Sequence, residues 1–444
     1  MSIFALSTGS VKSGIAIIRI SGKDAKQVVN KIIKIKIPTP RQATLCNIYN
    51  HKNNELIDQG MLIWFPGPNS YTGEDLAELH IHGSKAIIST LLSSLSMIDN
   101  CRMAEPGEFT KLAFENGKIN LLNVEALSDL ISSETELQRR QAINLLSGKT
   151  SKKYEELRNR LLKILANVEA KIDFPDEDLP EDILKNIKNE TQDIINIINS
   201  ILNDNKIGEK IRDGFKIVIV GPTNAGKSSL LNYLSKREVA IVSEIEGTTR
   251  DTIEVSLNLD GYPVLISDTA GIRDTNDKIE KKGVQIALDK ALNSDLKIIL
   301  LDAKNLYFKG FFDKIYDENS LIVINKSDLI SEKFDVKLVN NLEHVLISVK
   351  EEKNLRVFIE EIKRKLKQKF VINENILISR ERHRYNLEKC NFYLNIFLEK
   401  NSLNDFDKAA EDLRLATRYL GRVVGDVDVE EVLGKIFNDF CIGK

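Results

Sequence analysis

Residues 215–234 read Phe215-Lys216-Ile217-Val218-Ile219-Val220-Gly221-Pro222-Thr223-Asn224-Ala225-Gly226-Lys227-Ser228-Ser229-Leu230-Leu231-Asn232-Tyr233-Leu234. An apolar β-branched run, then GxxxxGK[ST], then a helical opening is the order that a phosphate-binding loop requires. The run predicts a strand over 215–220 and a helix opening at Ser229. Backbone N–H groups of the loop and of the helix N-terminus, from Asn224 through Ala225 and Gly226 to Ser229, would cradle phosphate oxygens. Lys227 would reach the β and γ oxygens and the Ser228 hydroxyl would ligate Mg²⁺.

Four further signals follow in the expected order. Gly247-Thr248-Thr249-Arg250-Asp251 supplies a switch-type threonine, and Thr249 is assigned to Mg²⁺. A strand over 264–267 runs into Asp268-Thr269-Ala270-Gly271, where Asp268 can hold the metal through water and the Gly271 N–H can sense the γ-phosphate. After a strand over 321–324 comes Asn325-Lys326-Ser327-Asp328, whose carboxylate can accept from both the guanine N1–H and the exocyclic amine. Adenine lacks that donor pair, so the nucleotide is GTP. Ser348-Val349-Lys350 occupies the last base-contacting loop, without the glycine expected to follow it.

Ile272 stands where many signalling GTPases carry a glutamine that orients the attacking water. Arg273, Asp274, Asp277 and Glu280 are the candidates to position that water, since a carboxylate can hydrogen-bond it directly or through a second one. Spacing leaves all four open.

Outward from this block the pattern changes on both sides. To about residue 117, short β-type runs (15–20, 61–65, 76–82) mix with a helical one over 84–98, as in a small α/β domain. From 119 to about 210, apolar residues recur at helical steps: Leu157, Leu161, Leu165, Val168 and Ile172, then Ile187, Ile194, Ile198 and Ile201. Between these helices, residues 173–178 form an acidic, proline-broken solvated connection. From 215 to about 370, strands alternate with helices, which predicts a parallel sheet wrapped by helices. Helical stripes then return at Leu387, Cys390, Leu394 and Phe397, and at Ala409, Leu413, Ala416 and Leu420. The expected fold is α/β plus all-α and multidomain, an N-terminal α/β domain followed by a helical domain interrupted by an inserted Ras-like P-loop domain. The expected boundaries are 1–117, 118–210, 211–370 and 371–444.

A chain of 444 residues is too long for one compact domain. Its 63 basic and 65 acidic residues give a net charge of −2, and 42% of residues are hydrophobic. That balance excludes a disordered chain and wholesale non-specific nucleic-acid binding, so any RNA contact must be local. Cys46, Cys101, Cys390 and Cys441 lie far apart with no CxxC pair, which fits a reducing compartment rather than a disulfide framework or a zinc module. No apolar run approaches the length of a membrane helix, and residues 1–14 lack a signal-peptide pattern, so a cytoplasmic protein without a membrane partner is expected. The terminal Cys441-Ile442-Gly443-Lys444 is a poor prenylation box.

The P-loop, the Gly-Thr-Thr-Arg-Asp loop and the Asp-Thr-Ala-Gly-Ile-Arg switch together resemble those of the MnmE (TrmE) family of tRNA-modification GTPases. So do the run Phe65-Pro66-Gly67-Pro68-Asn69-Ser70-Tyr71-Thr72-Gly73-Glu74-Asp75, the Pro106-Gly107-Glu108-Phe109 stretch and the terminal Cys-Ile-Gly-Lys. The resemblance covers essentially the whole chain. It implies a homodimer that joins an FAD-dependent MnmG-type protein in a heterotetramer to install an aminomethyl or carboxymethylaminomethyl group on carbon five of the tRNA wobble uridine.

The same resemblance implies that a reduced folate, formyl- or methylene-tetrahydrofolate, supplies the one-carbon unit. Potassium would be bound by the Asn224 side chain and by oxygens of Ser243, Ile245 and Thr248, within the nucleotide-binding stretch Ser243-Glu244-Ile245-Glu246-Gly247-Thr248-Thr249. Glu280 would orient the water and Arg273 would steady the switch. Arg19, Glu78, Lys118 and Lys444 would contact folate in an N-terminal folate-binding and dimerisation domain. Cys441 has two readings, a thiol activated by its neighbours or a small residue packed against the folate pocket.

Two rival functions belong beside this one. The first is an RNA-binding ribosome-assembly switch, but no RNA-binding module signature appears, and the basic run Lys363-Arg364-Lys365-Leu366-Lys367-Gln368-Lys369 sits on a helix with Leu355, Ile359, Ile362 and Leu366 inward, so a solvated face explains it. The second is a folate-dependent scaffold in which hydrolysis is dispensable.

Overall fold

The computed structural model describes the chain except for residues 10, 174–180, 237–253, 269–287, 307–314, 331–341, 371–375, 400–405, 428–432, 435, 438, 439, 441, 442 and 444. In chain order the first elements are β1 (Ser2–Leu6), β2 (Ser13–Gly22), α1 (Ala25–Ile32), β3 (Thr44–Tyr49), β4 (Leu56–Phe65), β5 (Leu76–Gly83), α2 (Lys85–Ser96), β6 (Cys101–Met103), α3 (Glu108–Glu115) and α4 (Leu121–Ile131). Then come α5 (Glu136–Leu146), α6 (Lys149–Asp173), α7 (Glu181–Leu202) and α8 (Ile207–Asp213). The remainder is β7 (Phe215–Val220), α9 (Lys227–Ser235), β8 (Glu254–Leu259), β9 (Tyr262–Asp268), β10 (Leu296–Asp302), β11 (Ser320–Asn325), β12 (His344–Leu346), α10 (Leu355–Lys369), α11 (Glu381–Glu399) and α12 (Phe406–Val424). The chain divides into two compact units, one of residues 1–131, 145–194 and 389–444 and the other of residues 132–144 and 195–388.

In the first unit six strands lie in the order β3-β4-β5-β2-β1-β6, antiparallel except for the parallel β1–β6 edge. Strand period two separates the faces. Ala16, Ile18 and Ile20 of β2 and Ala77, Leu79 and Ile81 of β5 pack with Val28, Val29 and Ile32 of α1 and Leu91 and Leu95 of α2 into one core. Each Val, Leu and Ile side chain among them contributes about 1.5–3 kcal/mol on burial. The alternate residues Arg19, Glu78 and His80 face the other way.

The same unit holds a helical pair, α6 against α12. The buried stripes run one residue away from two of the expected positions. Ile164 is buried where Leu165 was expected and is only partly covered, and Ala410 is buried beside a partly covered Ala409. A 3.6-residue period lets i+3 or i+4 serve the same face, and packing against the partner helix decides between them. The described residues between 433 and 443 return to the first unit's own elements. Ile436, Phe437 and Phe440 pack on Leu121 and Val124, and a Cβ on Gly107 (φ 69) would meet Phe437 Cδ1 at 2.8 Å. Gly443 (φ 99) presses on Leu6, where an added Cβ would lie 2.1 Å from the carbonyl oxygen, and its own carbonyl accepts from Ser7 Oγ at 2.9 Å.

The second unit is built on a sheet in the order β12-β11-β10-β7-β9-β8, parallel except that β8 runs against β9. Its central strands are apolar throughout because both faces are covered. Ile217, Ile219, Ile298 and Leu300 face one core with Leu230, Leu231 and Phe358, while Val218, Val220, Ile299 and Leu301 face another with Ala291 and Ile315. Leu355, Ile359, Ile362 and Leu366 of α10 are buried, as the sequence predicted. All parallel strands therefore end on one edge, which is where ligands of open α/β sheets bind.

Candidate functional site

The loop between β7 and α9 lies on that edge, and its glycines are compelled by geometry. Gly226 has φ 99, and a Cβ there would fall 2.3 Å from Asn325 Nδ2. At Gly221 a Cβ would fall 2.2 Å from the Leu300 carbonyl oxygen, because β10 passes close behind. Asn224 takes a left-handed φ of 64, which asparagine tolerates better than most residues, and its side chain is exposed with those of Ser228 and Ser229. Ala225 is fully buried.

Lys227 opens α9 and folds back over the loop, its ammonium donating to the Gly221 and Pro222 carbonyls at 3.0 Å each. Burial holds its pKa below the ordinary lysine value, with Asp268 opposing. Ser228 Oγ donates to Asp268 Oδ2 at 2.7 Å. Burial pushes the Asp268 carboxyl above its ordinary range, against that hydrogen bond and the nearby Lys227. Asp268 Oδ1 is buried and, among the described residues, makes no hydrogen bond. A hydroxyl beside a carboxylate with a spare oxygen is the hard oxygen donor set that Mg²⁺ prefers, so these residues fit the ion.

The base-reading loops are tied to the phosphate loop. Asn325 Nδ2 donates to the Ala225 carbonyl at 2.9 Å and Asn325 Oδ1 accepts from Val349 N at 3.1 Å. Ser348 is fully buried and its hydroxyl donates to Asp328 Oδ1 at 2.6 Å. That hydrogen bond, helped by Lys350 and Lys326, holds the Asp328 carboxyl below the ordinary carboxylate range. Lys326, at φ 64, pairs with Asp302 Oδ2 at 2.7 Å. The sequence reading missed Asp302, which acts through a side chain on another strand, and quoted Val349 only as part of a motif, since it acts through its backbone. Asn224 to Ser229, Asp268, Asn325, Lys326, Asp328 and Ser348 thus gather at one end of one sheet. The calls at Ser243, Glu244, Ile245, Glu246, Gly247, Thr248, Thr249, Thr269, Ala270, Gly271, Arg273, Asp274, Asp277 and Glu280 lie outside the described residues.

The first unit carries a second polar site. Arg19 and Glu78 are register partners on β2 and β5. Arg19 Nε and Nη2 both donate to Glu78 Oε1, at 3.2 and 2.9 Å. The guanidinium lies over the Tyr71 ring at 5.4 Å and the Phe109 ring at 5.7 Å. Lys118 reaches the same 67–75 loop, its Cε 3.2 Å from where a Gly73 Cβ would lie, and Asn116 Nδ2 donates to the Thr72 carbonyl at 2.7 Å. Ser7, which holds Gly443, is backbone-bonded to Ile17, two residues from Arg19. Cys441 and Lys444 themselves lie outside the described residues. Tyr71 was quoted only as part of a motif, and its contact with Arg19 is a long-range pairing that no local spacing announces. A planar cation facing aromatic rings beside a carboxylate fits a flat heterocycle with an anionic tail.

Two family models match the chain. One described as GTP-binding protein TrmE N-terminus covers residues 2–118, and one described as MnmE helical domain covers residues 121–441. Among curated relatives, tRNA modification GTPase MnmE of Pelagibacter ubique is 62% identical over 444 residues and that of Rickettsia bellii 43% identical over 446, with the whole of both chains covered in each case. Among solved structures, the G domain of the T. maritima FeoB iron transporter is 25% identical over 35% of this chain and 98% of its own, at a TM-score of 0.27, too low for the likeness to bear on the argument.

Proposed function

This chain belongs to the MnmE family of tRNA modification GTPases, and from that premise we propose that it couples GTP hydrolysis to modification of the tRNA wobble uridine at carbon five. It is a GTP hydrolase whose substrate partner is tRNA. In the finer reading it acts as a homodimer with an FAD-dependent MnmG-type protein in the cytoplasm and takes the one-carbon unit from a reduced folate. The observation that carries this reading is the presence, in one chain, of a guanine-type nucleotide site and an Arg19–Glu78 pocket suited to a pterin. Among the described residues no helix is long and apolar enough to cross a membrane.

In hydrolysis a water oxygen attacks the γ-phosphorus as the bond to the bridging oxygen breaks. The N–H groups of the 224–229 loop and the Lys227 ammonium neutralise the phosphate oxygens. Asp328, aligned by Ser348, accepts from the guanine base, and Asn325 keeps the base and phosphate loops in register. Ser228, Thr249 and Asp268 would hold Mg²⁺ and Asn224, Ser243, Ile245 and Thr248 would hold K⁺, and each ion when bound would supply positive charge to offset the charge developing on the transferred group. Glu280 orients the water and Arg273 steadies the switch.

The folate reading assigns Arg19, Glu78, Lys118 and Lys444 to the ligand, with Cys441 in the same terminal segment. The homodimer draws support from the β3–β4 end of the sheet, where register partners Leu45 and Met61 are 64% and 41% exposed. The domains proposed are 1–117 for folate binding and dimerisation, 118–210 and 371–444 for the helical domain, and 211–370 for the GTPase. The ribosome-assembly reading draws no support from the basic run of α10, whose basic side chains all have partners. Lys363 and Lys367 bind Asp260, Arg364 binds Glu361 and Glu343, Lys365 approaches Glu343, and Lys369 donates to the Asp295 carbonyl.

Mass analysis of wobble uridines from cells lacking the chain tests the proposal. Loss of the five-substituted uridine, restored by the intact gene and not by Asp328→Asn, is expected. An unchanged modification pattern in the deletion would overturn it.

A further inference from the structure

The 65–75 run has so far no role beyond marking the family, yet the structure builds it tightly around Arg19. Tyr71 is fixed at both ends. Its hydroxyl shares a 2.8 Å hydrogen bond with Thr110 Oγ1, and the next residue, Thr72, shares a buried 2.7 Å bond with Ser21 Oγ. Ser21 is two residues from Arg19 on β2 and therefore on the same face. Phe109, fully buried, closes the cation's other aromatic contact. The guanidinium is thus held between two rings and one carboxylate oxygen.

That arrangement leaves a specific pair of atoms unused. Arg19 spends Nε and Nη2 on Glu78 Oε1, and among the described residues its Nη1 has no hydrogen-bond partner. Among the same residues Glu78 Oε2 is approached only by His80 Nε2, at 3.5 Å. A donor beside an acceptor is the complement of a pterin's lactam edge, where a carbonyl stands next to an N–H.

We propose that Tyr71, backed by Phe109, is a positioning residue for reduced folate, fixing the Arg19 guanidinium so that Arg19 Nη1 and Glu78 Oε2 meet the pterin edge as a preset pair. The assignment rests on the folate reading of this pocket. The face of the ring carries the effect, since the hydroxyl is turned to Thr110. An arginine free to rotate would have to be ordered by the ligand at the ligand's expense.

Binding of 5-formyltetrahydrofolate to the full chain, followed by calorimetry, separates the two levels. Arg19→Met should abolish measurable binding. Tyr71→Leu should weaken it about tenfold, the size of a half-buried cation–π contact, and Tyr71→Phe should restore it to within about twofold. GTP hydrolysis and the melting temperature, measured in parallel, report folding; if Tyr71→Leu does not fold, Tyr71→Met of similar length replaces it. Wild-type affinity in the Leu or Met variant, with Arg19→Met inactive, overturns the role of Tyr71 alone. Wild-type affinity in Arg19→Met overturns the folate reading and the positioning role with it. Equal weakening in Tyr71→Phe and Tyr71→Leu would assign the effect to the hydroxyl and also overturn the proposal.

Discussion

Asn325 is bonded to Ala225 across 100 residues of sequence, Nδ2 donating to the buried carbonyl at 2.9 Å, so the loop that reads the base and the loop that holds phosphate are one structure. Replacing Asn325 by Ala strands the Ala225 carbonyl and the Val349 N–H, and each buried unsatisfied group costs about 1–3 kcal/mol. The variant is expected to melt earlier and to bind a fluorescent guanine nucleotide at least tenfold more weakly. Unchanged affinity in equilibrium titration would contradict the tie.

Asp328→Asn converts an acceptor pair into a donor and an acceptor, which should move base preference from guanine to xanthine. Ser348→Ala, which removes the 2.6 Å hydrogen bond to the same carboxylate, should weaken guanine binding by a smaller factor, about three- to tenfold. Competition between GTP and xanthosine triphosphate measures both.

Gly226→Ala meets a positive φ and Asn325 Nδ2 at 2.3 Å together. The loop must shift by about an ångström, and nucleotide binding should fall below detection while the far-ultraviolet circular dichroism spectrum stays close to that of the parent. Retained GTP affinity would show that the loop adapts more cheaply than its contacts imply.

Glu280→Ala should lower kcat by about 10²–10⁴ with KM little changed if that carboxylate orients the water. Hydrolysis should likewise be fast in potassium and slow in sodium. A drop below tenfold would pass the role to Asp274 or Asp277.

Asp58 offers a pH test remote from either site. Burial works against its charged form, but hydrogen bonds from the His82 N–H and ring at 2.8 and 2.9 Å outweigh it and hold the carboxyl below its usual range. A carboxyl with a depressed folded-state pKa stabilises the fold fully above the unfolded value, near pH 4, and loses that contribution as pH falls through the folded value. Asp58→Asn should cost about 1.5–3 kcal/mol at pH 7, and the gap to the parent should shrink below about pH 4 in denaturant titrations.

The nucleotide site was legible because its chemistry is local. Gly226, Lys227 and Ser228 are neighbours in sequence, and a glycine that must adopt φ 99 announces itself by type. The helical stripes were legible to within one residue, and Ile164 displaced Leu165 because period alone does not say where the partner helix lies. The aromatic surroundings of Arg19 were not legible. Glu78 was grouped with Arg19 by family resemblance and sits opposite it through the strand register, but Tyr71 and Phe109 reach it from a loop and a helix 52 and 90 residues away, which no local spacing announces.

The return of residues 433–443 onto Gly107, Leu121 and Leu6 sets a timetable for biosynthesis. The surface that Phe437 and Phe440 will cover leaves the ribosome roughly 300 residues before they do. At about 5–20 residues per second that is an interval of about 15–60 s. Throughout it, Leu121 and Val124 are exposed on a nascent domain whose sheet is already complete. Pausing within the GTPase segment would lengthen that exposure, and premature termination anywhere downstream would make it permanent, so quality control could recognise an unfinished chain by this one uncovered patch.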